Sequence, residues 1–460
     1  MRDVEAVVLA AGKGKRMISA LPKVLHQICG RPMIAYVVDT LADLGVASPI
    51  VVVGHEGEQV RAELGDGVRY VLQAEQLGTG HAVMQALPEL EGFTGTVLLL
   101  YGDVPLLRAD TIETLLAHHR AQGAAATVLT DLRDDPTGYG RVLRDARGNV
   151  QRIVEDADAA PDEREVREIN AGMYAIEAQA LRDALRAVRP NNAQGEYYLT
   201  DAIGTLLEAG QTVGAVVVGA SVEATGINSR RDLAMAEAAM RSMLLGELMD
   251  AGVTVIDPGH TFVHAGVRVG RDTILHPGTS LEGATVIGEE CVIGPDARLV
   301  DADVGDRVTI VASTVIQSTV AEGSRVGPYS HLRPGVRLGR FVYVGNYAEM
   351  KNATIGDRTK VHHMSYIGDA TVGAGVNIGA GTITCNYDGR AKHATVIEDG
   401  AFIGSDTMLI APVRIGREAM TGAGSVVTRD VPPRGVAVGV PARVIRQLPP
   451  AEHPVPEPVE

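Results

Sequence analysis

Residues 263–299 read VHAGVRVGRDTILHPGTSLEGATVIGEECVIGPDARL. Val263, Val269, Leu275, Leu281, Ile287, Ile293 and Leu299 fall at strict intervals of six. A helix repeats every 3.6 residues and a lone strand every two, so neither explains the spacing. A six-residue repeat fits a parallel β-helix, in which short strands and tight turns alternate around a narrow aliphatic axis. The phase resumes at Val320, Val326, Leu332, Leu338 and Val344, and returns at Ile397, Ile403, Leu409 and Ile415. Aliphatic–Gly pairs such as Val269-Gly270, Ile287-Gly288 and Ile403-Gly404 mark many of the turns. One rung supplies only part of a core, so stacked coils share it: about ten over residues 253–440, at roughly eighteen residues each. The phase is expected to break twice. TITCNYDG replaces the repeat within 381–393 and predicts a projecting loop. Residues 447–460, with five prolines and three glutamates, predict a disordered tail.

Upstream of the repeat the texture changes. Over 229–251, Leu233, Met240, Leu244 and Leu248 recur near helical spacing and predict one amphipathic linker helix, or else the last helix of the preceding domain. Residues 1–228 alternate apolar runs (5–10, EAVVLA; 49–53, PIVVV; 96–100, TVLLL) with helical stretches at 34–44 and 111–121. Continuous apolar runs belong to strands buried on both faces, so this is the βα rhythm of an open, mostly parallel α/β domain. The expected division is therefore 1–228, 229–251, 252–446 and 447–460.

The net charge of −15 and pI near 5.4 argue against a nucleic-acid binder, though not against a locally basic pocket. Cys29, Cys291 and Cys385 are far apart and form no C-x-x-C pair, which argues against a disulfide framework or zinc knuckle. The start lacks a signal-peptide core and no apolar run reaches membrane length, so the expected location is the cytoplasm, with no membrane partner.

The first apolar run ends in LAAGKGKRM (9–17). A glycine-rich turn leaving a strand lets backbone N–H groups approach phosphate oxygens. Met17 stands where a dinucleotide fingerprint needs its third glycine, and the Gly-Lys-Ser/Thr ending of a Walker loop is missing. Lys13, Lys15, Arg16 and Lys23 put four positive charges within eleven residues, which points to a polyanion such as a nucleoside triphosphate. Residues 9–17, 21–23 (LPK), 73–82 (QAEQLGTGHA) and 101–105 (YGDVP) resemble the signature of sugar-nucleotide pyrophosphorylases. With the repeat behind them, residues 4–430 resemble the bifunctional N-acetylglucosamine-1-phosphate uridylyltransferase/glucosamine-1-phosphate N-acetyltransferase family.

The resemblance implies a Rossmann-like nucleotidyltransferase domain followed by a left-handed β-helix that trimerises, with acetyltransferase clefts between subunits. It implies acetyl transfer from acetyl-CoA to glucosamine 1-phosphate, then uridylyl transfer from UTP to N-acetylglucosamine 1-phosphate. In the second step the sugar phosphate is already an anion and needs no base, so catalysis is positioning plus positive charge. By resemblance, Arg16 and Lys23 hold the triphosphate, and Asp103 and Asn228 bind Mg²⁺. Leu9, Ala10, Ala11, Gly12, Gln73, Gly78 and Thr79 address the uridine. Gly140, Glu155 and Asn170 hold the acetamido sugar.

On a β-helix, function falls to residues that break the repeat, and 331–387 are dense in them. An amine must lose a proton before it attacks a thioester, and histidine is the natural base. The resemblance assigns that role to His363, the sugar phosphate to Arg333 and Lys351, and the sugar to Tyr366 and Asn377. Asn386, Tyr387, Ala380, Ser405 and Ala423 would line the acetyl-CoA cleft. His362 is a rival base; as strand neighbours, the two histidines are expected on opposite faces. One departure stands out: Gly439-Val440 falls where the family carries a basic contact to coenzyme A, leaving Arg443 to substitute. Three alternatives remain at this level. One is a single-activity pyrophosphorylase with a silent β-helix. Another is a regulatory subunit, a type that tends to lose the cationic loop and metal ligand present here. The third is a β-helix carbonic anhydrase with three zinc-binding histidines among His331, His362, His363 and His393.

Overall fold

A computed structural model describes residues 3–219 and 222–449. Its chain divides into two compact units, Met1–Met240 and Arg241–Glu460.

The first unit is built on a nine-stranded sheet. Its main path runs Val213–Val217, Ala126–Leu132, Glu168–Glu177, Thr96–Tyr101, Val4–Ala10, Ile50–Val53, Arg69–Leu72. Glu168–Glu177 runs antiparallel to both neighbours; the other neighbours on this path are parallel. The unbroken apolar runs have the expected cause. Along Val4–Ala10, Val7 and Leu9 enter one core, and Val4, Ala6, Val8 and Ala10 enter the other. The first core is closed by helices Thr79–Ala86, Ala178–Ala187 and Leu199–Glu208. The second is closed by Met33–Asp43, Gly57–Leu64 and Ala109–Gln122. Val4–Ala10 lies between Ile50–Val53 and Thr96–Tyr101, where strand order reverses, so the loops leaving its C-terminal end and that of Thr96–Tyr101 diverge. Such a switch point opens a crevice beyond the strand ends.

The second unit is a parallel β-helix. One side is a twelve-stranded ladder and the other two sides form a continuous seventeen-stranded ladder. The aliphatic axis is fully buried: Leu275, Leu281, Ile293, Leu332, Val344, Ile367, Ile403 and Ile415 are 0% exposed. The phase slips more often than expected. The buried positions step by five from Leu299 to Val304, Ile310 to Val315 to Val320, Met350 to Ile355 and Ile367 to Val372. Each short side turns on a single left-handed residue: Asp301, Ala312, Gln317, Asn352 or Asp369. A corner can therefore lose a residue while the inward side chain keeps its place.

The predicted loop is also shorter than expected. Ile383–Cys385 is a strand, and Thr384 takes the inward position, its hydroxyl accepting from Gly368 N at 2.8 Å. Only residues 386–393 leave the coil. The end differs as well. Gln447 closes the strand Ala442–Gln447, which turns back antiparallel on Gly435–Gly439, so the tail does not begin at 447; residues 450–460 lie outside the described residues. A single helix, Arg230–Asp250, spans the predicted linker, and the division into units falls inside it. No helix among the described residues is long and apolar enough to cross a membrane.

Candidate functional sites

The crevice of the first unit is a cleft of about 630 Å³. All the residues expected at the nucleotide site line it: Leu9–Gly12, Arg16, Lys23, Gln73, Gly78, Thr79, Asp103, Gly140, Glu155, Asn170 and Asn228. Local chemistry explains their placement. Gly14 has φ +55°, and a Cβ there would lie 2.8 Å from Cβ of Lys23, so only glycine lets the loop lie across that lysine. Gly78 has φ +108°, and a Cβ would lie 2.6 Å from the Tyr197 carbonyl oxygen. Gln73 is buried and donates to Gly78 O at 3.1 Å, so it braces this turn as well as lining the cleft.

Lys13, Lys15 and Arg16 are exposed and show no ion pair among the described residues, whereas Lys23 is committed. Its ammonium contacts Asp103 Oδ2 and lies 3.1 Å from Asn228 Oδ1. The Asn228 amide is held by donation from Nδ2 to Gly226 O at 3.2 Å. Its backbone N–H and that of Ser229 both donate to Asp232, at 2.9 and 2.8 Å, and Asp232 N–H returns to Ser229 Oγ at 3.2 Å. This reciprocal cap starts the helix Arg230–Asp250 and fixes Asn228 at its threshold. Two oxygens, one anionic, thus converge on one cation. That donor set suits a hard divalent ion whose other ligands are phosphate oxygens or water. Among the described residues no three His, Cys, Asp or Glu side chains cluster within one chain as a metal site.

On the sugar side, Asn170 sits at a bulge where Glu168–Glu177 slips register against Ala126–Leu132. Its Oδ1 accepts from Gly172 N at 2.9 Å and its Nδ2 donates to the Tyr174 hydroxyl at 2.6 Å, so it shapes the bulge that reaches the cleft. Burial holds the Glu155 carboxyl above its usual range, and the Thr200 hydroxyl, donating at 2.9 Å, opposes that shift. Sequence reasoning missed Tyr198, whose buried hydroxyl lines the cleft without a hydrogen-bond partner among the described residues and whose pKa burial pushes up to about 12. It also missed Arg133. This residue pairs with the fully buried Asp131 (2.7 Å), donates to Thr225 Oγ1 (2.7 Å) and lies 5.9 Å from the Tyr139 ring. It thereby braces both the loop bearing Gly140 and the segment leading to Asn228.

On the β-helix, the hydrogen bonds from coil to coil bring the remaining residues together. At one corner Met364 N donates to Asn346 O, Gly381 N to His363 O, Asp406 N to Ala380 O and Gly424 N to Ser405 O. His363, Ala380, Ser405 and Ala423 therefore occupy successive coils of one edge. Three coil steps of ~4.8 Å make a line about 14 Å long running from the histidine. His363 is exposed, and its Nδ1 contacts Asn346 Oδ1, which fixes Nδ1 as the protonated nitrogen and leaves the Nε2 lone pair free. Asn346 stands one coil, 17 residues, upstream, a signal the sequence held but that went unread. His362 and His363 do not face opposite ways. Both follow the strand Lys360–Val361, and their rings are 5.7 Å apart, because a turn does not alternate its side chains as a strand does. His362 packs against Tyr343 (5.2 Å), and burial lowers its pKa.

The next face carries the charges. Glu349 pairs in register with both His331 and Tyr366, and Lys351 with Gly368. Arg333 donates to Glu349 at 2.8 Å. Lys392, at the far end of the 386–393 loop, crowds Lys351 and with Arg333 lowers its pKa, so three cations converge there. Lys392 was not foreseen, since nothing in the spacing of a loop predicts where it folds back. Asn386 anchors that loop, donating to Asp369 Oδ2 at 2.5 Å, and Tyr387 is 61% exposed. Asn377 lies in register between Lys360 and Phe402 on the twelve-stranded side, away from the ladder that carries Tyr366. Arg443 is exposed on the terminal hairpin, opposite Val438.

Comparison with known proteins supports both halves. Residues 6–190 match the model of the MobA-like NTP transferase domain, and residues 394–429 match that of the bacterial transferase hexapeptide (six repeats). The chain is 54% identical over 438 residues to the bifunctional protein GlmU of Heliobacterium modesticaldum, covering 95% of this chain and 96% of the relative. It is 56% identical to that of Pelotomaculum thermopropionicum over 411 residues (89% and 90%), and 50% identical to that of Brevibacillus brevis over 438 residues (95% and 95%).

Proposed function

The chain belongs to the bifunctional GlmU family, and from that membership we infer an enzyme of UDP-N-acetylglucosamine biosynthesis that is both an acetyltransferase and a uridylyltransferase. The reading assigns uridylyl transfer to the cleft of the first unit and acetyl transfer to the β-helix edge at His363. The observation that carries it is the convergence of Asp103, Asn228 and Lys23 in a cleft rimmed by Lys13, Lys15 and Arg16, which show no ion pair among the described residues.

In the acetyl step, Nε2 of His363 takes a proton from the glucosamine ammonium, the freed amine attacks the thioester carbonyl of acetyl-CoA, the C–S bond breaks, and the departing coenzyme A thiolate takes the second proton lost by the nitrogen. Asn346 holds the imidazole tautomer, and Arg333, Lys351 and Lys392 hold the sugar phosphate. The coenzyme runs along the edge past Ala380, Ser405 and Ala423, beside Asn386 and Tyr387, with Arg443 as its terminal cation. Tyr366 and Asn377 orient the sugar; their separation onto different sides of one coil favours a cleft completed by a neighbouring subunit, in keeping with a left-handed helix that trimerises.

In the uridylyl step, the phosphate of N-acetylglucosamine 1-phosphate attacks the α-phosphorus of UTP and pyrophosphate leaves. Arg16 and Lys23 hold the triphosphate, Gln73, Gly78 and Thr79 with the 9–12 turn hold the uridine, and Gly140, Glu155 and Asn170 hold the sugar. The family implies a divalent metal; we assign Mg²⁺, held by Asp103 and Asn228, which supplies charge neutralisation at the phosphates. The reading places the protein in the cytoplasm.

A paired assay tests it. One tube holds glucosamine 1-phosphate, acetyl-CoA, UTP and Mg²⁺; the other holds N-acetylglucosamine 1-phosphate, UTP and Mg²⁺. UDP-N-acetylglucosamine is expected in both. Product only in the second would leave a uridylyltransferase with a silent β-helix.

A further inference from the structure

Asp103 has a side chain only 11% exposed, and Lys23 is its one ion-pair partner among the described residues. A carboxylate that far from water needs a cation beside it at all times. The Lys23 ammonium, itself only 14% exposed, supplies one, and it also reaches Asn228 Oδ1 at 3.1 Å. The lysine therefore occupies the point on which both proposed metal ligands converge. An ammonium and a divalent ion cannot share that point, because the repulsion of two cations a few ångströms apart exceeds what one carboxylate returns. Nor can Lys23 leave easily by itself. Its Cβ packs under the Gly14 turn, so only the end of the side chain swings, within the cleft that the triphosphate enters.

We propose that Lys23 is an exchangeable counter-ion of the metal pair: it holds Asp103 and Asn228 in place until the divalent cation arrives, is displaced by it, and finds its next partner in the nucleotide phosphates. The proposal rests on reading Asp103 and Asn228 as the metal ligands. Its consequence is that metal and nucleotide binding are coupled through one side chain, each making the other easier, and such coupling is reciprocal. The lysine thus has a second role besides holding phosphate. Bare enzyme resists the metal, and the phosphates that attract Lys23 release the site.

The test is Mn²⁺ binding to the full-length protein, read from the electron paramagnetic resonance signal of free Mn²⁺ at fixed ionic strength. Wild type, K23M, K23Q and D103N are compared without nucleotide; in each variant a calorimetric transition of the first unit like that of wild type reports that this unit is folded. K23M and K23Q are expected to bind Mn²⁺ about tenfold tighter than wild type, or more, since the competing charge is gone. D103N is expected to lose the site. With a non-hydrolysable UTP analogue present, the advantage of K23M over wild type should shrink toward one, because the wild-type lysine then has a phosphate partner. Equal or weaker binding by both Lys23 variants, with binding still lost in D103N, overturns the counter-ion role and leaves the metal ligands standing. Unchanged binding in D103N overturns the ligand reading itself. An advantage of K23M that persists undiminished with the analogue overturns the coupling to nucleotide.

Discussion

At the residue scale, the two chemistries ask for different things, and single changes should separate them. His363→Ala should lower acetyl transfer about 10²- to 10⁴-fold, the range for a lost general base, and leave uridylyl transfer nearly intact. Asp103→Ala should do the reverse. Separate assays of the two half-reactions check both, and loss of both activities in either folded variant would refute the two-site assignment. Asn346→Ala should lower acetyl transfer by roughly tenfold or more without touching uridylyl transfer, because the imidazole loses the partner that sets its tautomer. Such partners are hard to see in a sequence. His363 announces itself by chemistry, whereas Asn346 matters only because a coil of the helix places it one step below.

At the element scale, the site depends on how turns and caps are made. In Gly78→Ala the new Cβ would lie 2.6 Å from a backbone oxygen, at a φ of +108° that alanine resists. The expected cost is about 1–3 kcal/mol, with uridine binding weakened as the Gly78–Thr79 turn shifts. Denaturant midpoint and KM for UTP check the two effects. Asp232 never enters the cleft, yet it receives the N–H groups of Asn228 and Ser229. Asp232→Ala should lose about 1 kcal/mol of helix cap and raise the metal concentration needed for half-maximal uridylyl transfer. The 9–17 turn was legible because glycine-rich turns have a sequence signature, whereas the Ser229–Asp232 cap, although local, went unread. Less legible was which carbonyl Gly78 must approach, since Tyr197 lies 119 residues away and meets it only through the fold.

At the scale of the whole molecule, each unit has its own buried core, the two faces of the sheet in one and the β-helix axis in the other. Calorimetry should therefore resolve two transitions. UTP with Mg²⁺ should raise one and acetyl-CoA the other, each by roughly 5–10 °C for a ligand near 100 times its Kd. A single transition moved equally by either ligand would show one cooperative block. The first unit should also respond to pH. In the first unit, burial lowers the pKa of His26 and His119 from the ordinary 6.5. The unfolded chain then takes up the proton first, so their contribution is complete above about pH 6.5 and is lost as pH falls through 6.5 toward the folded values. Mild acid should accordingly lower the nucleotide-responsive transition.

What the sequence determined by itself was whatever repeats or is covalently local. The six-residue phase fixes a β-helix because each coil meets only its neighbours, so one period states the packing of all. The continuous strands fix a sheet covered on both faces because a run with no polar side cannot be left in water. Cations packed into one loop declare a polyanion wherever that loop lies. The tertiary structure alone decided the relations between distant segments: Lys23 against Asp103 and Asn228, Arg133 between two walls of one cleft, Lys392 folded back on Lys351, and corners that drop a residue without losing the axis. Those contacts form because closing long loops brings together side chains whose spacing along the chain carries no period, and only packing selects which of them meet.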